Sequence, residues 1–254
     1  MKIKLSIALA ILVCIALLQS CARESALPVS DEETEKKEQT VLTLTEDRGK
    51  DYIDSFVFFG ESTTYHMKNR GVLSGGKNTR QVLADKSGTA MLDLNTGNMT
   101  VCHPDTGRSV PLAEAIEYLR PQYIILTFGL NGAVQNTDRG IDYFQACYKK
   151  LIDKVHAASP ETKIIIQSCF PVAKNMDMSN YSVNVEELNR RIRTLNEWAL
   201  QLAEKEDLRY LNTWEVLTDK DGYLKLEYQS GDGHHLTREA YTVILDYIRT
   251  HGYK

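Results

Sequence analysis

Three uninterrupted apolar runs stand out along the chain, at residues 56–59, 123–128 and 163–167. A strand with one solvent-facing side alternates apolar and polar residues, whereas a continuous run is typical of a strand that is covered on both faces. The three runs therefore predict the inner strands of a parallel sheet. Residues 208–214 predict a further short strand.

Segments with helical periodicity lie between and after these runs. Apolar residues recur every three or four positions in residues 112–119, 141–158 and 185–205. A closing helix is predicted at residues 237–250, with Thr237 as its N-cap. Strands that alternate with helices predict a parallel sheet with helices on both sides. The less regular region before residue 104 contains the sequence NTGN at residues 95–98, which predicts a turn, such as that of a hairpin beside the sheet.

The first 21 residues predict an export signal. Two lysines precede an apolar run at residues 5–18, which is shorter than a comfortable membrane span. The run leads into the tetrapeptide LQSC at residues 18–21, which resembles the lipobox of bacterial lipoproteins and implies lipidation of Cys21. The alternatives are a plain secretory peptide and a retained anchor. Each of the three places the rest of the chain outside the cytoplasm.

Residues 22–48 are rich in charge and poor in large apolar side chains, so they predict a flexible tether ahead of a single domain at residues 49–254. The composition, with 43% hydrophobic and 25% charged residues, is that of an ordinary globular domain. A net charge of -4 without a basic block argues against a nucleic-acid partner. Beyond Cys21, three cysteines without metal-ligand spacing predict small buried side chains rather than a zinc site or a catalytic thiol.

Polar residues that could carry chemistry follow the first two apolar runs. Ser62 comes directly after Gly60 and Glu61, where the chain can turn and a helix can begin. Asn131 follows the second run between two glycines, where its amide could face an oxyanion. Ligands of parallel α/β sheets bind at the carboxyl ends of the strands. Each segment alone has an ordinary explanation, because serine caps helices and asparagine is common in turns.

A third candidate segment, GDGHHLT, lies at residues 231–237. Asp232 precedes His235 by three positions, so its carboxylate can fold back onto the imidazole, orient it and stabilise the imidazolium that forms when a serine proton is taken. The alternatives are a solvated loop and a metal cluster of Asp232, His234 and His235. Adjacent histidines point apart in an extended chain, which disfavours a shared metal.

Taken in this order, the three segments resemble the sequence blocks of the SGNH (GDSL-type) hydrolase family. The tripeptide GES at residues 60–62 is similar to its GDS block, residues 129–132 to its GxND block, and residues 232–235 to its DxxH block. The resemblance implies a flavodoxin-like three-layer α/β/α sandwich with a mostly parallel sheet. It covers the chain from about residue 56 to residue 241.

The same resemblance implies a role for each matching residue. Ser62 would be the nucleophile, His235 the general base and Asp232 the acid that orients it. The oxyanion hole would combine the backbone N–H of Ser62, the N–H of a glycine and the side chain of Asn131. For the glycine we predict Gly76, with Gly75 and Gly88 as alternatives. No metal or other cofactor is implied.

Two positions depart from the family pattern. Glu61 stands where the family usually has aspartate, and Gly132 stands where the third block usually ends in aspartate. A glutamate can still serve if that carboxylate supports the local turn. Loss of the second aspartate removes a polar contact but leaves the amide of Asn131 in place.

The expected function is hydrolysis of acyl esters, with O-acetyl groups of carbohydrates as the leading substrate class. The substrate is expected to be a small molecule or a polysaccharide outside the cytoplasm, reached by a domain that is anchored to the membrane through Cys21. Lipase, thioesterase and O-acyltransferase activities are alternatives on the same triad. The alternative outside the enzymes is a binding module that has lost catalytic turnover. Glu61 and Gly132 suggest it, because both depart from the family pattern.

Overall fold

The computed structural model describes Lys36 and residues 39–253. The predicted signal sequence, with Cys21, and most of the predicted tether lie outside these residues. Within the described part of the chain, no helix is long and apolar enough to cross a membrane.

Within the described residues, the core of the fold is a sheet of five parallel strands. These strands are β1 (Phe56–Gly60), β2 (Val82–Leu83), β5 (Tyr123–Thr127), β6 (Lys163–Gln167) and β7 (Arg209–Leu211). Their order across the sheet is β2-β1-β5-β6-β7. Numbered along the chain within this sheet, it is the order 2-1-3-4-5 of flavodoxin-like folds, which places a topological switch point between β1 and β5. The predicted inner strands are confirmed.

From residue 49 onward, the helices are α1 (Gly49–Asp54), α2 (Ser62–Asn69), α3 (Leu112–Leu119), α4 (Ala133–Arg139), α5 (Ile141–Ala158), α6 (Val185–Lys205), α7 (Trp214–Leu217) and α8 (Arg238–Thr250). They cover both faces of the sheet. One buried cluster joins side chains of α3, α5 and α6 to one face of the strands, and a second joins side chains of α1, α2 and α8 to the other face. The three-layer sandwich is therefore confirmed.

The strong periodic patterns gave accurate helix bounds. Helices α3, α5 and α6 begin and end where the sequence predicts them. Thr237 caps α8 by accepting a hydrogen bond from the backbone N–H of Ala240. A hairpin does lie beside the sheet, formed by β3 (Thr100–Cys102) and β4 (Ser109–Pro111). The predicted turn at residues 95–98 is a short 3₁₀ segment that precedes this hairpin rather than its tip.

Residues 40–48 were predicted to belong to the tether, but they pack on the domain. The backbone N–H of Leu42 donates to the carbonyl of Tyr210 at 2.9 Å, and the side chain of Leu42 is only 5% exposed. Arg48 hydrogen-bonds in the same way to Arg249 in α8. The predicted domain start at residue 49 is therefore too late, because burial of Leu42 and pairing with the open edge of β7 hold this segment.

The three cysteines that the structure describes are free thiols. Cys147 and Cys169 are buried, as predicted, whereas Cys102 is only half-buried. Burial raises the pKa of the Cys147 and Cys169 thiols, so both behave as small apolar side chains.

Candidate active site

The candidate site lies at the switch point of the sheet. Strands β1 and β5 pair in parallel with Gly60 opposite Thr127, so the loops that follow them begin side by side. Ser62 is the first residue of α2 after β1, and Asn131 lies in the loop after β5. The segment from Asp232 to His235 reaches the same edge just before α8 begins.

Ser62, His235 and Asp232 form a continuous hydrogen-bonded chain. The Nε2 atom of His235 lies 3.0 Å from the Oγ atom of Ser62, and Nδ1 lies 2.6 Å from Oδ2 of Asp232. Because the carboxylate can only accept, Nδ1 carries the hydrogen and Nε2 faces the serine as an acceptor. This arrangement can take a proton from a serine hydroxyl and stabilise the imidazolium that results.

A tight turn holds Asp232 under the histidine ring. Its Oδ1 accepts the backbone N–H groups of His235 at 2.9 Å and His234 at 3.1 Å. Burial alone would raise the pKa of Asp232, but these N–H donors and the His235 ring lower that pKa below its usual range. Gly233 is required inside the turn, since it has φ +86° and a Cβ atom there would lie 2.6 Å from Met176.

The adjacent histidines do not point apart as predicted. The rings of His234 and His235 lie 4.1 Å apart between centroids, because residues 231–235 form bends rather than an extended strand. The ligand atoms of Asp232, His234 and His235 all lie within 4.8 Å of one another, so these three residues could hold a metal ion. However, both oxygens of Asp232 already accept hydrogen bonds from the two histidines. Asp232 and His235 can therefore act together in proton transfer without a bound metal ion.

A third histidine, His66, packs on His235. The two rings are stacked, with centroids 4.4 Å apart and an interplanar angle of 17°. Burial and then the charge of His235 lower the pKa of His66, which favours its neutral form. Sequence reasoning missed His66, although its position four residues after Ser62 places both side chains on one face of α2.

Two N–H donors at this edge of the sheet could stabilise an oxyanion. As the first residue of α2, Ser62 has a backbone N–H without a partner inside the helix. The amide nitrogen of Asn131 donates to the carbonyl of Ala90 at 2.8 Å, and its second hydrogen has no partner among the described residues. The contact with Ala90 fixes the position of the Asn131 side chain.

The structure does not place Gly76 with the oxyanion donors of Ser62 and Asn131. Gly76 precedes β2, on the amino side of the sheet, where its neighbour Ser74 hydrogen-bonds to Asp54 just before β1. The same holds for Gly75. Gly88 follows β2 on the correct side, but its N–H donates to the Oδ1 atom of Asp85 at 2.8 Å. The prediction of Gly76 failed because a glycine pair before β2 looks the same in sequence as one after it.

A family model for the GDSL-like lipase/acylhydrolase family matches residues 58–243. The chain belongs to this family. It is therefore an ester hydrolase of the SGNH type, and the predicted resemblance is confirmed. No curated protein matches the chain at a significant level.

The chain is similar to several solved structures at low sequence identity. A DUF4886 family protein from Bacteroides uniformis is 14% identical, with 78% of this chain and 83% of that chain covered and a TM-score of 0.51. A GDSL-like lipase from Bacteroides thetaiotaomicron is 14% identical, with 89% and 91% covered and a TM-score of 0.47. The periplasmic domain of a lipopolysaccharide acetyltransferase from Salmonella ser. Paratyphi A is 16% identical, with 88% and 96% covered and a TM-score of 0.48.

The structure explains how this GDSL-like chain accommodates glutamate beside the serine. The buried carboxylate of Glu61 accepts the backbone N–H groups of Gly129, Leu130 and Asn131, each at 3.0 Å. It therefore shapes the loop that carries Asn131, which is the turn-supporting role considered for it. Burial raises the pKa of Glu61 to about 7, and the three N–H donors act in the opposite direction.

At the second departure, Gly132, the side chain of Met91 lies close to the backbone. A Cβ atom at Gly132 would lie 3.0 Å from the Sδ atom of Met91, and the residue has φ +78°. Met91 is thus packed where a family-type aspartate would begin its side chain. No sequence pattern connects residues 91 and 132, because they meet only through the packing of two loops.

Proposed function

We propose that this chain is an extracytoplasmic serine esterase that hydrolyses short acyl esters, above all O-acetyl esters of carbohydrates. The observation that carries the proposal is the hydrogen-bonded chain from Ser62 Oγ through His235 to Asp232, with distances of 3.0 and 2.6 Å. Membership of an ester-hydrolase family supports the reaction class. Export and lipid attachment at Cys21 are part of the proposal and rest on the sequence alone.

The proposed reaction has two steps. Ser62 Oγ attacks the ester carbonyl while His235 Nε2 takes its proton, and the oxyanion accepts hydrogen bonds from the Ser62 N–H and the Asn131 amide. Collapse of the intermediate breaks the ester bond, and His235 gives its proton to the departing alcohol. Water, activated by His235, then attacks the acyl-Ser62 ester and releases the acid.

Asp232 serves this reaction without changing its own protonation. Its pKa is lowered by the N–H groups and the ring that it binds, so it stays charged while His235 becomes an imidazolium. A general base at this position contributes about a hundred- to ten-thousandfold to the rate.

Labelling with a fluorophosphonate probe tests whether Ser62 is a nucleophile. The wild type should be labelled, whereas Ser62→Ala should not. Ser109, an exposed serine on β4, offers the control, because a probe can reach it and Ser109→Ala should keep the labelling. Equal labelling of the wild type and Ser62→Ala, or none of either, would contradict the enzyme mechanism.

A panel of esters tests the substrate class. We expect acetyl esters to be hydrolysed faster than esters of eight or more carbons, with all activity lost in Ser62→Ala. A preference for long acyl chains would instead favour a lipase. Transfer of the acyl group to an added sugar in preference to water would favour an acyltransferase, and either result would overturn the substrate part of the proposal.

A further inference from the structure

A cavity of about 370 Å³ opens beside Asn131. One wall is formed by the loop after β5 and the start of α4. The other wall is formed by residues 180–182, which belong to the long connection between β6 and α6, and by Leu188. Because β5 and β6 are neighbouring parallel strands, the cavity lies at the carboxyl edge of the sheet, which is also the edge of the candidate active site.

The connection between β6 and α6 also contacts the loop of the proposed base. The N–H of Ala173 donates to the carbonyl of Gly233 at 2.7 Å, and Met176 packs directly against Gly233. Burial and then the charge of Asp232 raise the pKa of Tyr181, so that ring lies within electrostatic reach of the carboxylate. The cavity is therefore bounded on one side by the oxyanion donor and on another by the segment that supports Asp232 and His235.

The cavity offers many unused hydrogen-bonding groups. The side chains of Gln135, Asn180, Tyr181 and Ser182 line it, and none of them has a hydrogen-bond partner within the part of the chain that the structure describes. Together they supply both donors and acceptors. Tyr181 is 42% exposed and presents an aromatic ring to the same space.

This chemistry matches a hydroxylated ring better than a hydrocarbon chain. An acyl chain in this space would remove the four polar side chains from water without replacing their hydrogen bonds, which is unfavourable. A sugar ring can exchange hydrogen bonds with them and can lie against the tyrosine with its C–H face. An acetyl group needs only a small fraction of the volume.

We infer that this cavity binds the alcohol portion of the ester and that this portion is a sugar, with Tyr181 as its aromatic platform. The inference rests on the proposed esterase function and assigns the substrate specificity of the same site. Tyr181 acts on binding of the sugar rather than on the acyl transfer itself.

The test compares two acetyl esters that differ only in the alcohol. Steady-state kinetics are measured with a monoacetylated methyl glucoside and with 4-nitrophenyl acetate, for the wild type, Tyr181→Ala and Tyr181→Phe. For Tyr181→Ala we expect KM for the glucoside ester to rise about tenfold, with a several-fold smaller change for the aryl ester. Tyr181→Phe keeps the ring and should stay close to the wild type.

Tyr118→Ala provides the matched control. Tyr118 is 49% exposed on α3, so it is another surface tyrosine of similar accessibility that does not line the cavity. It should leave the kinetics of both esters unchanged. Unfolding curves of all variants show whether a loss of activity follows from a loss of stability. The double variant Asn180→Ala/Ser182→Ala is a second, smaller change to the same wall of the cavity. It should also impair hydrolysis of the glucoside ester only.

The outcomes separate this inference from the proposed function. If the wild type hydrolyses both esters and Tyr181→Ala affects them equally or not at all, the cavity does not bind the sugar, while the esterase function stands. Hydrolysis of the aryl ester alone, or a gain of activity on longer acyl chains in Tyr181→Ala, also overturns the inference. If no ester is hydrolysed in a Ser62-dependent way, the proposed function fails and the inference fails with it.

Discussion

At the scale of single residues, the proposed base is held by more than its two hydrogen bonds. His66 stacks on His235 at 4.4 Å, and His234 lies 4.1 Å from the same ring. Burial and then the charge of His235 lower the pKa of both His66 and His234, so both neighbours favour the neutral form. A neutral aromatic ring against an imidazolium is an attractive contact, whereas a second positive charge would oppose it.

His66→Ala should therefore reduce kcat. The expected loss is about 0.5–2 kcal/mol of transition-state stabilisation, because an imidazolium loses its stacked partner. His66→Phe keeps an aromatic face and should retain most of the activity. The measurement is kcat for 4-nitrophenyl acetate, compared among the wild type and the two variants at the same pH. If the two variants behave alike, stacking is not the contribution of His66.

Asn131 gives a second prediction at this scale. Asn131→Ala removes an amide that is positioned by Ala90, and loss of one oxyanion donor costs about 2.7–4 kcal/mol, or roughly a hundred- to a thousandfold in kcat. The loss should appear in kcat with little change in KM, since the donor acts when charge develops. A variant that turns over like the wild type would exclude the side chain from the oxyanion hole.

At the scale of elements, two loops at the carboxyl edge of the sheet are fitted to each other. Glu61, at the start of α2, binds three consecutive N–H groups of the loop after β5. Met91, in the loop after β2, packs over Gly132 in that same loop. Both residues that depart from the family pattern are thus matched by contacts in this chain, which argues against a site that has decayed.

Restoring the family residue at one of these positions should destabilise the protein. Gly132→Asp places a Cβ atom 3.0 Å from Met91 and forces a non-glycine residue to φ +78°. Gly107→Asp isolates the backbone contribution, because Gly107 has φ +65° and nothing within 4 Å of its added Cβ. In urea unfolding, Gly132→Asp should lose more stability than this control, but by less than about 1 kcal/mol, because the Met91 side chain is 51% exposed and can move aside. Met91→Ala in the same chain should recover the difference.

How far the sequence predicts the fold depends on the element. Long helices such as α5 and α6 were predicted with correct bounds because a single face of each is buried along its whole length. The two-residue strand β2 and the short α4 were missed, since neither is long enough to show a period. Because β2 was missed, Gly76 could not be placed before it, and the wrong glycine was chosen.

In the candidate site, too, the residues with a local sequence signal were predicted and the others were missed. Ser62, Asn131, Asp232 and His235 were predicted because each sits in a short local pattern directly after a strand or before a helix. The partners that tune them come from elsewhere in the chain: Ala90 lies 41 residues from Asn131, and the Glu61 carboxylate binds N–H groups 68 to 70 residues away. Contacts of that kind depend on loop packing, for which one sequence carries no periodic signal.

At the scale of the whole molecule, the sheet carries a buried charged group between its two helical layers. Glu61 is only 2% exposed and lies at the end of β1, next to β5. Three N–H donors offset part of the desolvation of its carboxylate, yet the pKa of Glu61 is raised to about 7 by burial. The overall stability of the protein is therefore linked to the protonation of one residue of the candidate site.

The direction of this pH dependence follows from the raised pKa. The contribution of Glu61 to stability is fully present below its unfolded pKa of 4.5 and is lost as pH rises through the folded pKa of about 7. Glu61→Gln cannot titrate, so the difference in unfolding free energy between the wild type and this variant isolates the effect. That difference should fall by about 3 kcal/mol between these two pH values and then level off, as measured by urea unfolding. A difference that rises with pH would mean that the three N–H groups outweigh burial and hold Glu61 ionised throughout.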